Sequence, residues 1–164
     1  MTANRKRRAP LGNIETENTD RYRHELYGNG VDQAMITYSK WMIRVAVVFS
    51  VMGALLGSDM AGRKDYSFIP VHSHILVVGW LSLFAYGIFY YVFPEPQKLK
   101  LAKVQAILSM LGAMLLPLGM LLYNKAYNGF TTGLFIGGGT VLLIGMLLFA
   151  FLVFFDKQLF TKKN

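Results

Sequence analysis

The chain has 164 residues, 54% of them hydrophobic, no cysteine and a formal net charge of +8. That length fits one domain. The lack of thiols excludes disulfides, iron–sulfur clusters, thiolate-ligated haem and c-type haem attached through cysteine.

The apolar residues are gathered into four blocks, 41–57, 70–93, 102–123 and 130–155. Each is at or near the roughly 20 residues that carry a helix across a bilayer, the first reaching that length when residues 36–40 are included. The runs are continuous rather than alternating, which excludes a closed β-barrel. No Asp or Glu falls inside them, which argues against a proton pump or a carboxylate-driven transporter. The expectation is an all-α membrane protein. It has a polar N-terminal tail over 1–35 and a transmembrane domain over 36–164, with helices at about 36–57, 70–93, 102–123 and 130–155.

The tail carries Pro10, Gly12, Asn13, Asn18, Gly28, Asn29 and Gly30 and has no apolar signal-peptide core. It reads as a flexible cytoplasmic tether, with room for a short helix around 20–27. Helix 1 places Arg44 near its start, where the side chain can snorkel to the interface. Its Gly53 and Gly57 form a small-x-x-x-small pair suited to close packing. Pro70 suits the first turn of helix 2, and Pro94-Glu95-Pro96 ends it. Helix 3 contains Pro117, where a proline can kink a helix. Helix 4 carries Gly133, Gly137, Gly138, Gly139 and Gly145, smooth positions for contact within the bundle or between protomers. Short loops make neighbouring helices antiparallel, which gives a four-helix transmembrane up-down bundle.

Thirteen basic residues lie on one side: Arg5, Lys6, Arg7, Arg8, Arg21, Arg23, Lys40, Lys98, Lys100, Lys103, Lys157, Lys162 and Lys163. Arg63, Lys64 and Lys125 lie on the other. The positive-inside rule therefore puts both termini in the cytoplasm, and the bacterial inner membrane is the expected location. The Arg-Lys-Arg-Arg run at 5–8 is read as a topology and lipid-contact signal, not as a nucleic-acid site.

Two of the three histidines, His72 and His74, open helix 2 near the outer face. A histidine inside a membrane helix is costly and calls for a reason; the most specific one is a metal, and often haem iron. At 100° per residue the two rings point about 200° apart, so one straight helix cannot bring both to one iron. His72 shares a stripe with Leu76, Gly79, Leu83, Tyr86 and Tyr90. Gly79 leaves room for a flat ring below the histidine, Leu83 can pack on it, and Tyr86 offers a hydroxyl. The same residues also suit ordinary helix packing, and periodicity does not separate the two readings. His74 is assigned either a hydrogen bond to a haem propionate, a second metal, or water at the headgroup level. His24 lies in the tail and carries no role.

Val71-His72-Ser73-His74-Ile75, followed by Gly79-Trp80, Gly87, Tyr90 and Pro94, resembles the second helix of the catalytic subunit of haem–copper oxidases and nitric oxide reductases. The preceding helix, with its Gly-Ala-Leu-Leu-Gly ending at 53–57, is also similar. Short four-helix bacterial proteins described as oxidase subunit I-like carry the same His-x-His-x-x-x-x-Gly-Trp pattern. The resemblance implies that His72 is an axial ligand of a haem and that His74 is its polar neighbour. In such proteins helix 3 often begins with a further histidine; here Gln105 stands in that region.

The family's binuclear centre needs more histidines than the membrane part of this chain holds, so a stand-alone oxidase is not expected. One histidine per chain also leaves haem b short of its sixth ligand. A second protomer could supply it across a two-fold interface, so could a Met or Tyr, or the iron could stay five-coordinate and bind a gas. Three functions remain open. One is a haem b membrane protein for electron transfer or gas sensing, in contact with lipid and assembled as a homo-oligomer, most simply a dimer. The second is a haem-free accessory subunit of a larger respiratory complex. The third is copper handling through His72, His74 and Met60.

Overall fold

The computed structural model describes residues 31–93 and 99–156, with side chains described from residue 34. Four helices account for nearly all of them: α1 (Val31–Arg63), α2 (Ile69–Val92), α3 (Leu99–Lys125) and α4 (Gly129–Phe155). All four are long and apolar enough to span a membrane, and large apolar side chains such as Val47, Leu55, Val77, Leu143 and Phe154 face outward. The chain is a multi-pass, all-α membrane protein built as a four-helix bundle. Residues 1–30, including the short helix expected around 20–27, lie outside the described residues, and residues 31–35 of the expected tail belong to α1.

Helix α1 starts at Val31 and ends six residues later than expected. At 33 residues it is about 50 Å long, well beyond the hydrocarbon layer of about 30 Å. Gly57 and Gly62 do not stop it. The helix ends where Lys64 adopts the left-handed conformation at φ 54°. Lys64 N–H then bonds Ala61 O at 3.3 Å and Asp65 N–H bonds Met60 O at 3.2 Å, the paired bonds of a Schellman ending. Arg63 pairs with Asp59 on the exposed last turn. At the other end, Arg44 lies 5.5 Å from the centre of the Trp41 ring, a cation–π contact on the exposed face.

Helix α2 is not uniform. Its first turns are α-helical (Ile69–His74), its centre is a π-helix (Ile75–Ser82), and its last part is α-helical again (Leu83–Val92). The wider π turns carry more than four residues each, so residues four apart stay aligned. The buried line is therefore Val71, Ile75, Gly79 and Leu83, continuing through Tyr86, Gly87 and Tyr90. His72 stands beside this line instead of on it. The stripe expected from 100° spacing, with His72 above Gly79 and Leu83, is corrected by this change of winding.

The bundle consists of two antiparallel hairpins. In the α1–α2 hairpin, large side chains of one helix sit on glycines of the other. A Cβ on Gly79 would meet the Phe49 ring at 2.5 Å, one on Gly53 would meet Leu76 at 2.3 Å, and one on Gly87 would meet Ile43 at 2.7 Å. Ser39 Oγ also donates to Gly87 O at 2.6 Å. In the α3–α4 hairpin the backbones themselves touch. A Cβ on Gly112 would lie 2.6 Å from Leu142, one on Gly119 2.6 Å from Phe135, and one on Gly138 2.7 Å from Leu115 and Leu116. Gly145 faces Ser109 in the same way. The contact positions on α3, Ser109, Gly112, Leu116 and Gly119, step by three, four and three residues. This is the spacing of a left-handed, coiled-coil-like crossing. Asn128 caps α4 through a reciprocal pair of bonds with Thr131, at 2.9 and 3.1 Å.

Gly138 and Gly137 are neighbours with opposite surroundings, because nothing lies within 4 Å of a Cβ placed on Gly137. Gly138→Ala is expected to destabilise the bundle by about 1–3 kcal/mol through overpacking. Gly137→Ala is expected to be neutral or to stabilise it by up to about 1 kcal/mol through helix propensity. Detergent-denaturation curves of the two variants measure the difference.

Candidate functional site

The N-terminal end of α2 holds His72 and His74, and they are treated differently. His74 turns back along its own helix, and its Nδ1 lies 2.7 Å from Pro70 O. A carbonyl only accepts, so Nδ1 carries the proton and the lone pair of a neutral His74 is on Nε2. This is the arrangement commonly found at a metal-binding histidine. The ring lies on the accessible side of the helix.

His72 turns toward α1. Its ring lies against Gly57: a Cβ there would meet Cε1 at 2.8 Å, Nδ1 at 3.4 Å and Nε2 at 3.5 Å. Nδ1 is sealed from outside and has no hydrogen-bond partner. Nε2 is not sealed in this way, and the residue is only half-buried. Buried polar side-chain atoms are mostly paired, and each exception asks for an explanation such as a catalytic role or an ion.

The other expected cofactor residues are elsewhere. Gly79 does not form an open face below His72, because the Phe49 ring fills that space. Leu83 is 1% exposed and belongs to the core. Tyr86 is buried against Phe149 of α4, with ring centres 4.4 Å apart. The structure therefore packs Gly79, Leu83 and Tyr86 against other side chains instead of leaving them as an open face below His72. An apolar cavity of about 310 Å³ opens between α1, α2 and α3, with Val45, Phe49, Val71, Ile75, Pro117 and Leu121 in its walls. His72 is not part of its lining. Among the described residues no three His, Cys, Asp or Glu side chains gather around a common point.

A second polar cluster lies at the far end of α2, roughly 25 Å from His72 by helix rise. Tyr90 donates to Gln105 Oε1 at 2.7 Å, and Gln105 Nε2 donates to Ser109 Oγ at 2.9 Å. All three side chains are fully buried. With Tyr86 and Phe89 packed on Phe149, this chain of bonds ties the two hairpins together. Sequence reasoning treated Gln105 only as a missing histidine, although a lone amide among apolar residues is itself a sign of a buried partner. Gly57 was likewise seen only as half of a packing pair. In the loop between α1 and α2, the hydroxyl and backbone N–H of Ser67 hold the Asp65 carboxyl below the ordinary carboxylate range.

No protein-family model, no curated protein and no solved structure matches this chain.

Tyr90→Phe leaves the buried Gln105 Oε1 without its donor and is expected to cost about 1–3 kcal/mol. Gln105→Ala strands both the Tyr90 hydroxyl and Ser109 and is expected to cost more, about 1–3 kcal/mol for each stranded group. Unfolding of the two variants in mixed detergent micelles checks the order.

Proposed function

We propose that the chain is a membrane haem b protein, for electron transfer or sensing of a diatomic gas, with His72 as the iron ligand near the outer face. The observation that carries this reading is a half-buried histidine on a membrane-spanning helix whose Nδ1 is closed off against α1, which leaves Nε2 as the nitrogen for a ligand. The resemblance of residues 71–94 to an oxidase ligand helix supports it. The filled interior under Gly79 and Leu83 points to a cofactor on the outside of the bundle, between this chain and a second surface. A second copy of the chain is the simplest such surface and would bring a second His72.

In this reading His72 would hold the iron through Nε2, and Gly57 leaves space for its ring. His74 keeps its Nδ1–H on Pro70 O; when protonated it can donate from Nε2 to a carboxylate. Haem, when bound, supplies reversible one-electron chemistry or an open site for a gas. The proposed location is the bacterial inner membrane, with both termini cytoplasmic.

One observation favours a second reading. Gly79, Leu83 and Tyr86 are used up in packing, while Gly133 and Gly137 on α4 have nothing near them. A haem-free accessory subunit that docks into a larger respiratory complex would have these properties.

The visible spectrum of the purified protein decides between the two. The expected result is a Soret band that His72→Ala abolishes and His74→Ala only shifts or weakens. Colourless protein that takes up no hemin supports the accessory reading. A band that survives His72→Ala and is lost in His74→Ala assigns the ligand to His74. The sharing of one haem by two chains is expected to appear as a dimer in detergent-corrected mass, with half a haem per chain.

Orientation is tested separately by reporter fusions. Fusions at Asn124 and Asn164 are expected to report the outer and inner sides respectively, and the reverse result overturns the proposed topology.

A further inference from the structure

We infer that Gly57 is the positioning residue of His72, and that the close approach of α1 at this glycine fixes which ring nitrogen the site offers. The inference rests on the reading of His72 as a ligand. It concerns the free imidazole and is testable without haem.

The geometry has three parts. The Cε1 edge of His72 lies where a side chain on residue 57 would begin, at 2.8 Å from an ideal Cβ, a distance that real Cβ atoms essentially never show. Any residue other than glycine must displace the ring. Nδ1 is closed off and unpartnered, while Nε2 is left accessible. One helical turn earlier, Gly53 makes the same kind of contact with Leu76, again closer than a Cβ allows, at 2.3 Å. The seam thus contains two equivalent glycines, and only one of them touches a histidine.

A consequence follows for the protons. An unpaired N–H is the more rarely tolerated state in a buried site, so the neutral His72 keeps its proton on accessible Nε2 and its lone pair on sealed Nδ1. His74 has the opposite arrangement, because Pro70 O holds its proton on Nδ1. The two histidines of one motif therefore carry opposite tautomers. A metal on Nε2 of His72 requires its proton to move to Nδ1, where no acceptor waits. Acceptors of this kind are worth about 10–100-fold in metal affinity.

The test is ¹⁵N NMR of histidine-labelled, metal-free protein in lipid nanodiscs. In the wild type, His74 is expected to show a protonated Nδ1 and His72 a protonated Nε2. Gly57→Ala is expected to shift the His72 ring signals and leave those of His74 in place. Gly53→Ala, which strains the same seam, is expected to leave the His72 ring signals unchanged. A His72 ring that is unmoved in folded Gly57→Ala, moved equally by Gly53→Ala, or protonated on Nδ1 in the wild type overturns the inference. If Gly57→Ala does not fold, the double variant with His72→Ala decides. Recovery of folding supports direct contact with the ring, and no recovery rejects it. The same His72→Ala change is expected not to rescue Gly53→Ala. Hemin titration of the wild type tests the haem reading independently. Failure to bind hemin, with the NMR pattern as expected, rejects the haem and supports the positioning role of Gly57.

Discussion

Everything in this bundle depends on close contact between helices that lipid does nothing to drive together. Lipid tails are as apolar as the side chains, so helix association has to come from packing, polar contacts and shape. The chain meets this requirement with two glycine seams of different design. Along α3–α4, glycines on both helices let backbone meet backbone at Gly112, Gly119 and Gly138. Along α1–α2, side chains of one helix fill the gaps left by glycines of the other, so each gap has a particular occupant: Phe49, Leu76, Ile43 and His72. The first seam fixes a distance. The second also orients individual side chains, and one of those is a histidine.

The polar groups follow the same economy. Ser39 gives its proton to Gly87 O, and Tyr90, Gln105 and Ser109 satisfy one another across the two hairpins. His74 is satisfied by Pro70. In a low-dielectric interior an unpaired polar atom is expensive, and a network is useful only when its members are paired. His72 Nδ1 stands out against that background as the unpaired buried side-chain atom among the described residues. Its importance comes from the contrast with its neighbours more than from its identity as a histidine.

The sequence makes the four helices legible because length and continuous hydropathy are enough to specify a membrane span. The helix ends were harder. Lys64 ends α1 in a left-handed turn usually given to glycine, while Gly57 and Gly62 are passed without a break. The site was only partly legible, for a specific reason. The π-helix Ile75–Ser82 lies directly below the histidines, and it changes the angular step on which any stripe argument depends. The sequence singles out His72 and His74, but it groups Gly79, Leu83 and Tyr86 with His72 by a 100° rule that does not hold through this stretch. The role of Gly57 was out of reach for a different reason, since it depends on which helix lies opposite His72, and a single helix does not carry that information.

The winding of α2 also explains why its chemistry is found at the edge of the bundle and not in its core. A π segment keeps residues four apart in line, so Val71, Ile75, Gly79 and Leu83 all turn inward as one packed ridge. With that ridge committed to α1 and α3, the residue after Val71 is rotated out of the core and onto the α1 seam. There Gly57 receives its ring without covering Nε2. Uninterrupted α-helix would carry the inward line away from every fourth residue and turn His72 toward the stripe that includes Gly79 and Leu83. The same backbone irregularity therefore places the histidine on the seam between α1 and α2, at the edge of the packed core.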